Sequence, residues 1–151
     1  MAALKVRNRT ITTAESLTGG RIASAITAVP GSSAVFPGGV VSYCDRIKHQ
    51  VLGVPAEELE RFGAVSEPVA KSMAQGVAAL MGTDLALSAT GVAGPDGDGS
   101  ENPVGTVYLG LWDRGTALCE KHVFSGDRAA VQRQTAERAI AWALERLTEN
   151  G

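Results

Sequence analysis

Two patterns of apolar residues, one typical of strands and one typical of helices, alternate along the first part of the chain. Short apolar and β-branched runs at residues 10–13, 35–43 and 85–90 predict strands, the last of them covered on both faces. Residues 2–5 resemble the last turn of a helix. Apolar spacings and helix-start signals predict further helices that begin near residues 20, 46, 54 and 66. This alternation favours parallel strands joined by helices.

Three helical stripes predict which residues face the core. In chain order they are Ile22, Ile26 and Val29; Val69, Met73, Val77 and Leu80; and Ala136, Ile140, Leu144 and Leu147. Pro30 ends the first of these helices, Gly82 ends the second, and residues 125–127 open the last. We expect each stripe to pack against a sheet.

The last strands are predicted over residues 106–112 and 116–124. The short connection between them has the length of a hairpin, so this pair is expected to be antiparallel. The second strand is polar, which is typical of a sheet edge. Together the elements predict an α/β fold, a three-layer α/β/α sandwich with a mixed, mostly parallel sheet of about five strands. Its length of 151 residues predicts one domain over residues 1–151.

The composition excludes several classes of partner. A formal net charge of −2 and 5% aromatic residues argue against a nucleic-acid binder, which would carry a basic face or stacking platforms. No apolar run is long enough for a membrane span, and no secretory signal opens the chain. Cys44 and Cys119 are far apart and predict free thiols in a reducing compartment. We therefore expect a cytoplasmic protein that binds neither nucleic acid nor membrane.

Ser16 lies where the first strand passes into a helix. Thr18, Gly19 and Gly20 follow it, so a ligand could approach the backbone of this turn closely. Two interpretations stay open on spacing alone. Ser16 or Thr18 could cap the helix, since hydroxyl side chains are favoured there, or Ser16 could be a reactive nucleophile.

Other site chemistries find little support in the residues. His49 and His122 stand apart from any metal-ligand motif, and no metal site is predicted. The acidic loop over residues 96–101 has Glu101 where a calcium loop needs glycine. Neither phosphate-binding glycine motif is present. Both histidines lie in polar surroundings, so a Ser-His-Asp triad is not expected.

Lys48 is the other base that could activate a serine. A lysine kept away from water loses its charge more easily, and the Tyr43 hydroxyl could align it or relay a proton. An ordinary surface lysine and a half-buried tyrosine are the alternatives. Asp45 is the expected cap of the helix over residues 46–52. The turn at Ser16, the corner at residues 43–48 and the glycine loop after residue 90 each follow a strand, so they could meet at one end of the sheet.

Several motifs stand in order along this chain, at residues 13–20, 39–43 with Lys48, 63–70, 89–97, 103–107 and 126–128. Together they closely resemble the CinA C-terminal domain family. The resemblance runs from about residue 10 to the end of the chain. It implies a nicotinamide-nucleotide amidohydrolase, which converts nicotinamide mononucleotide to nicotinic acid mononucleotide and ammonia in pyridine nucleotide recycling. It also implies a three-layer fold, no metal, no cofactor, and a homodimer or higher homo-oligomer.

The resemblance implies that Ser16 is the nucleophile, with Lys48 and Tyr43 as its activating partners. The remaining site residues that we predict, which bind the nucleotide or the oxyanion, are Glu15, Thr18, Gly19, Gly20, Gly91, Gly94 and Arg128. Amides at residues 18–20 would stabilise the oxyanion, while Arg128 and the backbone at residues 91–94 would bind phosphate and ribose. Glu15 would orient Lys48 or a ribose hydroxyl. The alternative is a non-catalytic nucleotide- or partner-binding module of the same fold, associated with competence or DNA damage.

Overall fold

The computed structural model describes residues 1–149, which contain one mixed five-stranded sheet. Its strands, in chain order, are β1 (Ile11–Glu15), β2 (Gly39–Val41), β3 (Leu85–Gly91), β4 (Thr106–Asp113) and β5 (Thr116–Val123). Across the sheet the order is β2-β1-β3-β4-β5. β1 is parallel to both β2 and β3, whereas β4 is antiparallel to β3 and β5. Four of these five strands therefore run in one direction, as the predicted mostly parallel sheet requires.

The helices cover both faces of this sheet. They are α1 (Ala2–Val6), α2 (Arg21–Thr27), α3 (Asp45–Gln50), α4 (Ala56–Phe62), α5 (Glu67–Met81) and α6 (Arg128–Glu149), with a 3₁₀ turn at Ser32–Ala34. α1, α2 and α6 pack together on one face, and α5 covers the other with α4 against it. The result is the three-layer α/β/α arrangement. None of the helices described in residues 1–149 is long and apolar enough to cross a membrane.

Two apolar cores lie on opposite faces of the central strand β3, which is buried from Leu85 to Thr90. On one side Leu87 and Trp142 belong to the core beneath α6. On the other side Ala86 and Met73 belong to the core beneath α5. This double burial explains why β3 is an uninterrupted apolar run rather than an alternating one.

The predicted helical stripes are correct in part. Leu80 and Leu144 are 53% and 52% exposed, and Val29 is 40% exposed, so their assignment to the core is wrong. In α5 the alanines at positions 70, 74 and 78 take buried positions instead, because this helix lies very close to the sheet. In α6 the buried positions beside Leu144 are Trp142 and Ala143, and Val29 lies beyond the end of α2. A Cβ added at Gly110 in β4 would come within 2.3 Å of the Ala70 carbonyl oxygen of α5.

The hairpin between β4 and β5 is as predicted, and β5 is an edge strand. Its turn places Arg114 at φ 41° and Gly115 at φ 100°, the left-handed conformations that such short loops require. The strand predicted over residues 35–43 is shorter, because the 3₁₀ turn precedes it and pairing is limited to Gly39–Val41. Asp45 is not the cap of α3; Cys44 occupies that position and Asp45 lies in the first turn.

Candidate active site

Ser16 follows directly on β1, and its turn is fixed by the neighbouring strand. The Ser16 amide donates to the Ala89 carbonyl oxygen of β3 at 2.9 Å, and the Gly19 amide donates back to the Ser16 carbonyl oxygen at 3.1 Å. Gly19 and Gly20 have φ of 56° and 100°, conformations that side chains rarely adopt. Gly20 is the N-cap of α2 and has no side-chain capping bond. The interpretation of Ser16 or Thr18 as the helix cap is therefore wrong.

Glu15 supplies the capping contacts of α2 instead. Its side chain is completely buried, and its two carboxylate oxygens accept hydrogen bonds from the Ile22 and Ala23 amides at 2.8 and 3.0 Å. A carboxylate at a helix N-terminus is favoured by unpaired amides and by the helix dipole. The structure thus places Glu15 as a support of the turn at residues 16–19, which carries the predicted nucleophile and is hereafter called the nucleophile turn. It makes no hydrogen bond to Lys48 among the described residues, as one of the two predicted roles would need.

Lys48 lies beneath Ser16 in a nearly dry environment. Its Nζ is 3.0 Å from the Ser16 Oγ and donates to the Ser42 carbonyl oxygen at 2.9 Å. The lysine is only 2% exposed, whereas Ser16 is 8% exposed and lines a cavity. Burial lowers the pKa of Lys48 below its usual 10.5, and nearby Asp45 and Cys44 oppose that shift without cancelling it. A neutral amine in this position can accept a proton from Ser16.

The backbone on both sides of β2 fixes where Lys48 reaches. The Ser42 amide donates to the Glu15 carbonyl oxygen at 2.8 Å, which extends the pairing of β2 with β1 by one residue. One turn of α3 then brings Lys48 back over that strand end, its amide bonded to the Cys44 carbonyl oxygen at 3.1 Å. The amine and the serine hydroxyl are therefore brought together by two adjacent parallel strands that end at the same edge.

Tyr43 lies at the mouth of the cavity and is 61% exposed. Its hydroxyl accepts a 2.7 Å hydrogen bond from Arg128, the first residue of α6. Within residues 1–149 it has no hydrogen bond to Ser16 or Lys48, so Tyr43 does not hold Lys48 by a direct hydrogen bond as the sequence suggested. Arg128 also donates to the Gly94 carbonyl oxygen at 2.7 Å. This guanidinium ties Tyr43, the glycine loop and α6 together.

The cavity above Ser16 has a volume of about 270 Å³ and is formed by all three predicted loops. Its lining residues are Ser16, Leu17, Tyr43, Gly91, Val92, Ala93, Gly94, Asp96, Gly97, Asp98 and Arg128. Gly91 has no room for a side chain, since a Cβ there would lie 2.6 Å from the Thr106 carbonyl oxygen. Gly94 has φ 87°, and its Cβ would lie 2.6 Å from Val104. Backbone rather than side chain therefore forms this wall.

Amides of the nucleophile turn are the available donors for an oxyanion. The Gly19 amide is already bonded to Ser16, which leaves it poorly suited to that role. In the described part of the chain, the Leu17, Thr18 and Gly20 amides have no hydrogen-bond partner. The Thr18 side chain is completely buried, and its Oγ1 also lacks a partner within residues 1–149. Thr18 and Gly20 thus lie at the turn, but neither is among the cavity-lining residues.

Two contributors to this site are not among the residues predicted from the sequence. The Ser42 carbonyl oxygen accepts a hydrogen bond from Lys48. A pattern of side chains cannot predict a backbone acceptor of this kind. Gln132 in α6 donates to the Leu17 carbonyl oxygen at 2.9 Å while only 7% exposed. A glutamine in line with the apolar positions 136 and 140 of the same helix is the one signal in the sequence that could have pointed to it.

The remaining polar clusters lie away from the cavity. The His49 ring contacts the Val54 carbonyl oxygen, and the His122 ring contacts the Glu120 carboxylate, so neither histidine reaches Ser16. Among the residues that the structure describes, no three His, Cys, Asp or Glu side chains are grouped to hold a metal. Both cysteines are free thiols.

Comparison with known proteins gives a consistent result. The model of the CinA C-terminal domain matches residues 1–147. The nicotinamide-nucleotide amidohydrolase PncC of Enterobacter agglomerans is 49% identical over 99% of this chain and 92% of its own length. A CinA-like protein of Geobacter sulfurreducens is 49% identical over 91% of this chain, which corresponds to only 33% of that longer protein.

Solved structures agree with the fold. A crystal structure of a competence-damaged protein (CinA) superfamily protein from Klebsiella pneumoniae 700603 superposes with a TM-score of 0.96. It is 38% identical in sequence, and the match covers 98% of this chain and 92% of that one. A similarity of this extent shows that the two chains share one fold.

Proposed function

This chain belongs to the CinA C-terminal domain family, and on that premise we propose that it is a nicotinamide-nucleotide amidohydrolase that uses a Ser16–Lys48 pair. The reaction is hydrolysis of the carboxamide of nicotinamide mononucleotide to nicotinic acid mononucleotide and ammonia. The observation that carries the proposal is the 3.0 Å approach of a buried lysine amine to a serine hydroxyl at the floor of a cavity. The enzyme would serve pyridine nucleotide recycling in the cytoplasm.

In the first half of the reaction, the Ser16 Oγ attacks the carboxamide carbon and its proton passes to the neutral Lys48 Nζ. Negative charge then develops on the carboxamide oxygen, where unbonded amides of the nucleophile turn can stabilise it. The carbon–nitrogen bond breaks as the lysine ammonium returns its proton to the leaving nitrogen. Ammonia departs and an ester with Ser16 remains.

In the second half, water attacks the ester carbon while Lys48 takes a proton from it. The carbon–oxygen bond to Ser16 breaks, the proton returns to the serine oxygen, and the pyridine carboxylate is released. The same amine thus acts as base and then as acid in each half. No metal or cofactor is required by this scheme, because the lysine supplies the proton transfers and the turn supplies the charge stabilisation.

Substrate binding is assigned to the rim of the cavity. Arg128 keeps unused N–H donors beyond its bonds to Tyr43 and Gly94, and a guanidinium is well suited to a phosphate. The backbone of Gly91 and Gly94 lines the cavity and would offer its polar groups to a ribose. Tyr43, with its hydroxyl at the cavity mouth, acts from the substrate side, where it can donate to the leaving nitrogen. We propose a homodimer or higher homo-oligomer as the working state.

The test is a measurement of ammonia release from nicotinamide mononucleotide by the purified chain. We expect turnover by the wild type and loss of at least 10³-fold in Ser16→Ala. Ser33→Ala changes another serine, an exposed one on the 3₁₀ turn, and should keep full activity. Intact mass spectrometry after rapid quenching should detect the Ser16 ester.

The competing interpretation is a non-catalytic binding module. Ammonia release by the wild type and Ser16→Ala distinguishes it from the amidohydrolase. If calorimetry shows that the nucleotide binds equally well to wild type and Ser16→Ala while neither releases ammonia, the amidohydrolase proposal is wrong. Turnover that depends on Ser16 excludes the binding module.

A further inference from the structure

Gln132 is a buried polar residue that the proposed chemistry does not use. It lies one helical turn after Arg128 in α6, so the two side chains lie on the same face of the helix. Arg128 bonds to the Gly94 carbonyl oxygen, whereas Gln132 donates its side-chain amide to the Leu17 carbonyl oxygen at 2.9 Å. The first turns of α6 therefore contact both the glycine loop and the nucleophile turn.

The bond to Leu17 acts on the central peptide of that turn. The 3.1 Å bond from the Gly19 amide to the Ser16 carbonyl closes a four-residue turn in which Leu17 and Thr18 are the middle residues. In a trans peptide the carbonyl and the next amide point in opposite directions. Fixing the Leu17 carbonyl toward α6 consequently fixes where the Thr18 amide points. That amide shares its peptide with Leu17, which lines the cavity, and it has no hydrogen-bond partner within the described residues.

The turn type itself does not depend on Gln132. Positive φ outside glycine occurs only at Asn8 and Arg114 in residues 1–149, so Thr18 keeps a negative φ. A reversed central peptide would give a type II turn, which needs a positive φ at the position that Thr18 occupies. A β-branched residue disfavours that conformation. Loss of the Gln132 bond should therefore leave the turn folded but less firmly placed.

We propose that Gln132 is a positioning residue for the amidohydrolase reaction, which orients the Leu17–Thr18 peptide so that the Thr18 amide stabilises the oxyanion. The inference rests on the proposed function, and it assigns one amide among the three unbonded candidates. Small displacements of a group that acts only in the transition state lower turnover more than binding. The contribution of Gln132 should therefore appear in kcat rather than in KM.

The experiment compares three variants of the full-length chain. Gln132→Met keeps the volume of the side chain but cannot donate. Gln132→Arg restores planar N–H donors. Gln134→Met is the matched control on the same helix, because Gln134 donates to the Ser125 and Ala130 carbonyl oxygens and, within residues 1–149, makes no hydrogen bond to the nucleophile turn. Thermal unfolding is measured for each variant, and Gln132→Ala replaces the methionine variant if that one does not fold.

With nicotinamide mononucleotide, we expect Gln132→Met to lower kcat about 10- to 100-fold with a KM change below about threefold. Gln132→Arg should recover most of the loss, and Gln134→Met should match the wild type. The acidic limb of the pH profile should stay in place, because Lys48 is untouched. A methionine variant that folds and keeps kcat within about twofold overturns the inference, as does an equal loss in the control.

A second readout separates this inference from the proposed function. A fluorophosphonate probe phosphonylates a reactive serine with loss of fluoride, and its rate reports on the nucleophile and oxyanion geometry whatever the natural substrate is. We expect Gln132→Met to slow labelling of Ser16 about tenfold or more, with Gln134→Met unchanged. If Ser16 is labelled but no ammonia is released, the assigned substrate is wrong and the role of Gln132 is still tested by the labelling rates. Equal labelling rates in the wild type and Gln132→Met would show that Gln132 does not position the turn.

Discussion

Replacement of Lys48 by methionine is the most direct test of the site chemistry. The change keeps a long, unbranched side chain at a position that is only 2% exposed, and it removes the amine that lies 3.0 Å from the Ser16 Oγ. General base catalysis typically contributes 10²- to 10⁴-fold, which corresponds to about 2.7–5.4 kcal/mol in the activation barrier. We expect kcat to fall by that factor and KM to change little.

The same substitution should have a much smaller effect on stability, because two terms oppose each other. Loss of the amine leaves the buried Ser42 carbonyl without its 2.9 Å donor, at a cost of about 1–3 kcal/mol. Against this, methionine removes the penalty of burying an amine whose pKa is lowered by burial. That penalty applies wherever both the folded and the unfolded lysine are charged.

The lowered pKa of Lys48 sets the direction in which stability and kcat/KM change with pH. The pKa of Lys48 in the folded protein lies below its usual 10.5, so the folded state binds fewer protons than the unfolded state between the two values. In that interval the wild type should gain stability with rising pH relative to Lys48→Met, and kcat/KM should rise as the amine loses its proton. Below the folded pKa, activity falls and the burial cost is complete.

The assay is ammonia release across a pH series, with urea unfolding of the same samples. Lys121→Met is the matched control, because Lys121 is an exposed lysine of β5 that contacts the Tyr108 ring and does not line the cavity. A folded Lys48→Met variant that keeps more than about a tenth of wild-type kcat would refute the assignment of Lys48 as the base. An unchanged acidic limb in that variant would refute it equally.

Three further substitutions test the supports of the site. Arg128→Ala should raise KM for the nucleotide about tenfold or more, with a smaller effect on kcat, because it removes the proposed phosphate donor; steady-state kinetics measures both. Glu15→Gln should lower the free energy of unfolding in urea by about 1–3 kcal/mol, since one buried acceptor of a helix-starting amide becomes a donor. Gly76→Ala should destabilise the protein despite its better helix propensity, because the new Cβ would lie 1.8 Å from the Leu52 carbonyl oxygen; thermal unfolding reports the shift.

Each of these has a matched comparison. Arg133→Ala, which changes an exposed arginine of the same helix as Arg128, should leave KM unchanged. Glu57→Gln, in the exposed first turn of α4, should have little effect on stability. Gly53→Ala is the contrast for Gly76: a Cβ there meets nothing within 4 Å, but φ of 72° brings a modest strain cost. A Gly76→Ala variant as stable as the wild type would show that α5 can move away from residue 52.

The local pattern of the sequence determined most of the fold. Alternation of strand and helix signals, the hairpin at Arg114 and Gly115, and the apolar run of β3 each follow from short-range properties of the chain. The structure agrees with all three. Helix faces were less predictable: Leu80 and Leu144 fit a helical spacing and yet are exposed. Spacing gives the period of a stripe, whereas the closeness of the neighbouring layer decides which part of it is buried.

For the site, the position of three loops directly after predicted strands indicated that they could meet at one end of the sheet, and in the structure residues of all three line one cavity. What only the tertiary structure decided is how the polar groups pair there. The Glu15 carboxylate accepts from the first amides of α2, and the Tyr43 hydroxyl accepts from Arg128. Gln132 of α6 donates to the carbonyl oxygen of Leu17, although the two residues are 115 positions apart in the chain. Such pairings depend on distances between elements that are remote in sequence. The donor–acceptor distance of a hydrogen bond can vary by only a few tenths of an ångström. Local sequence patterns do not determine those distances.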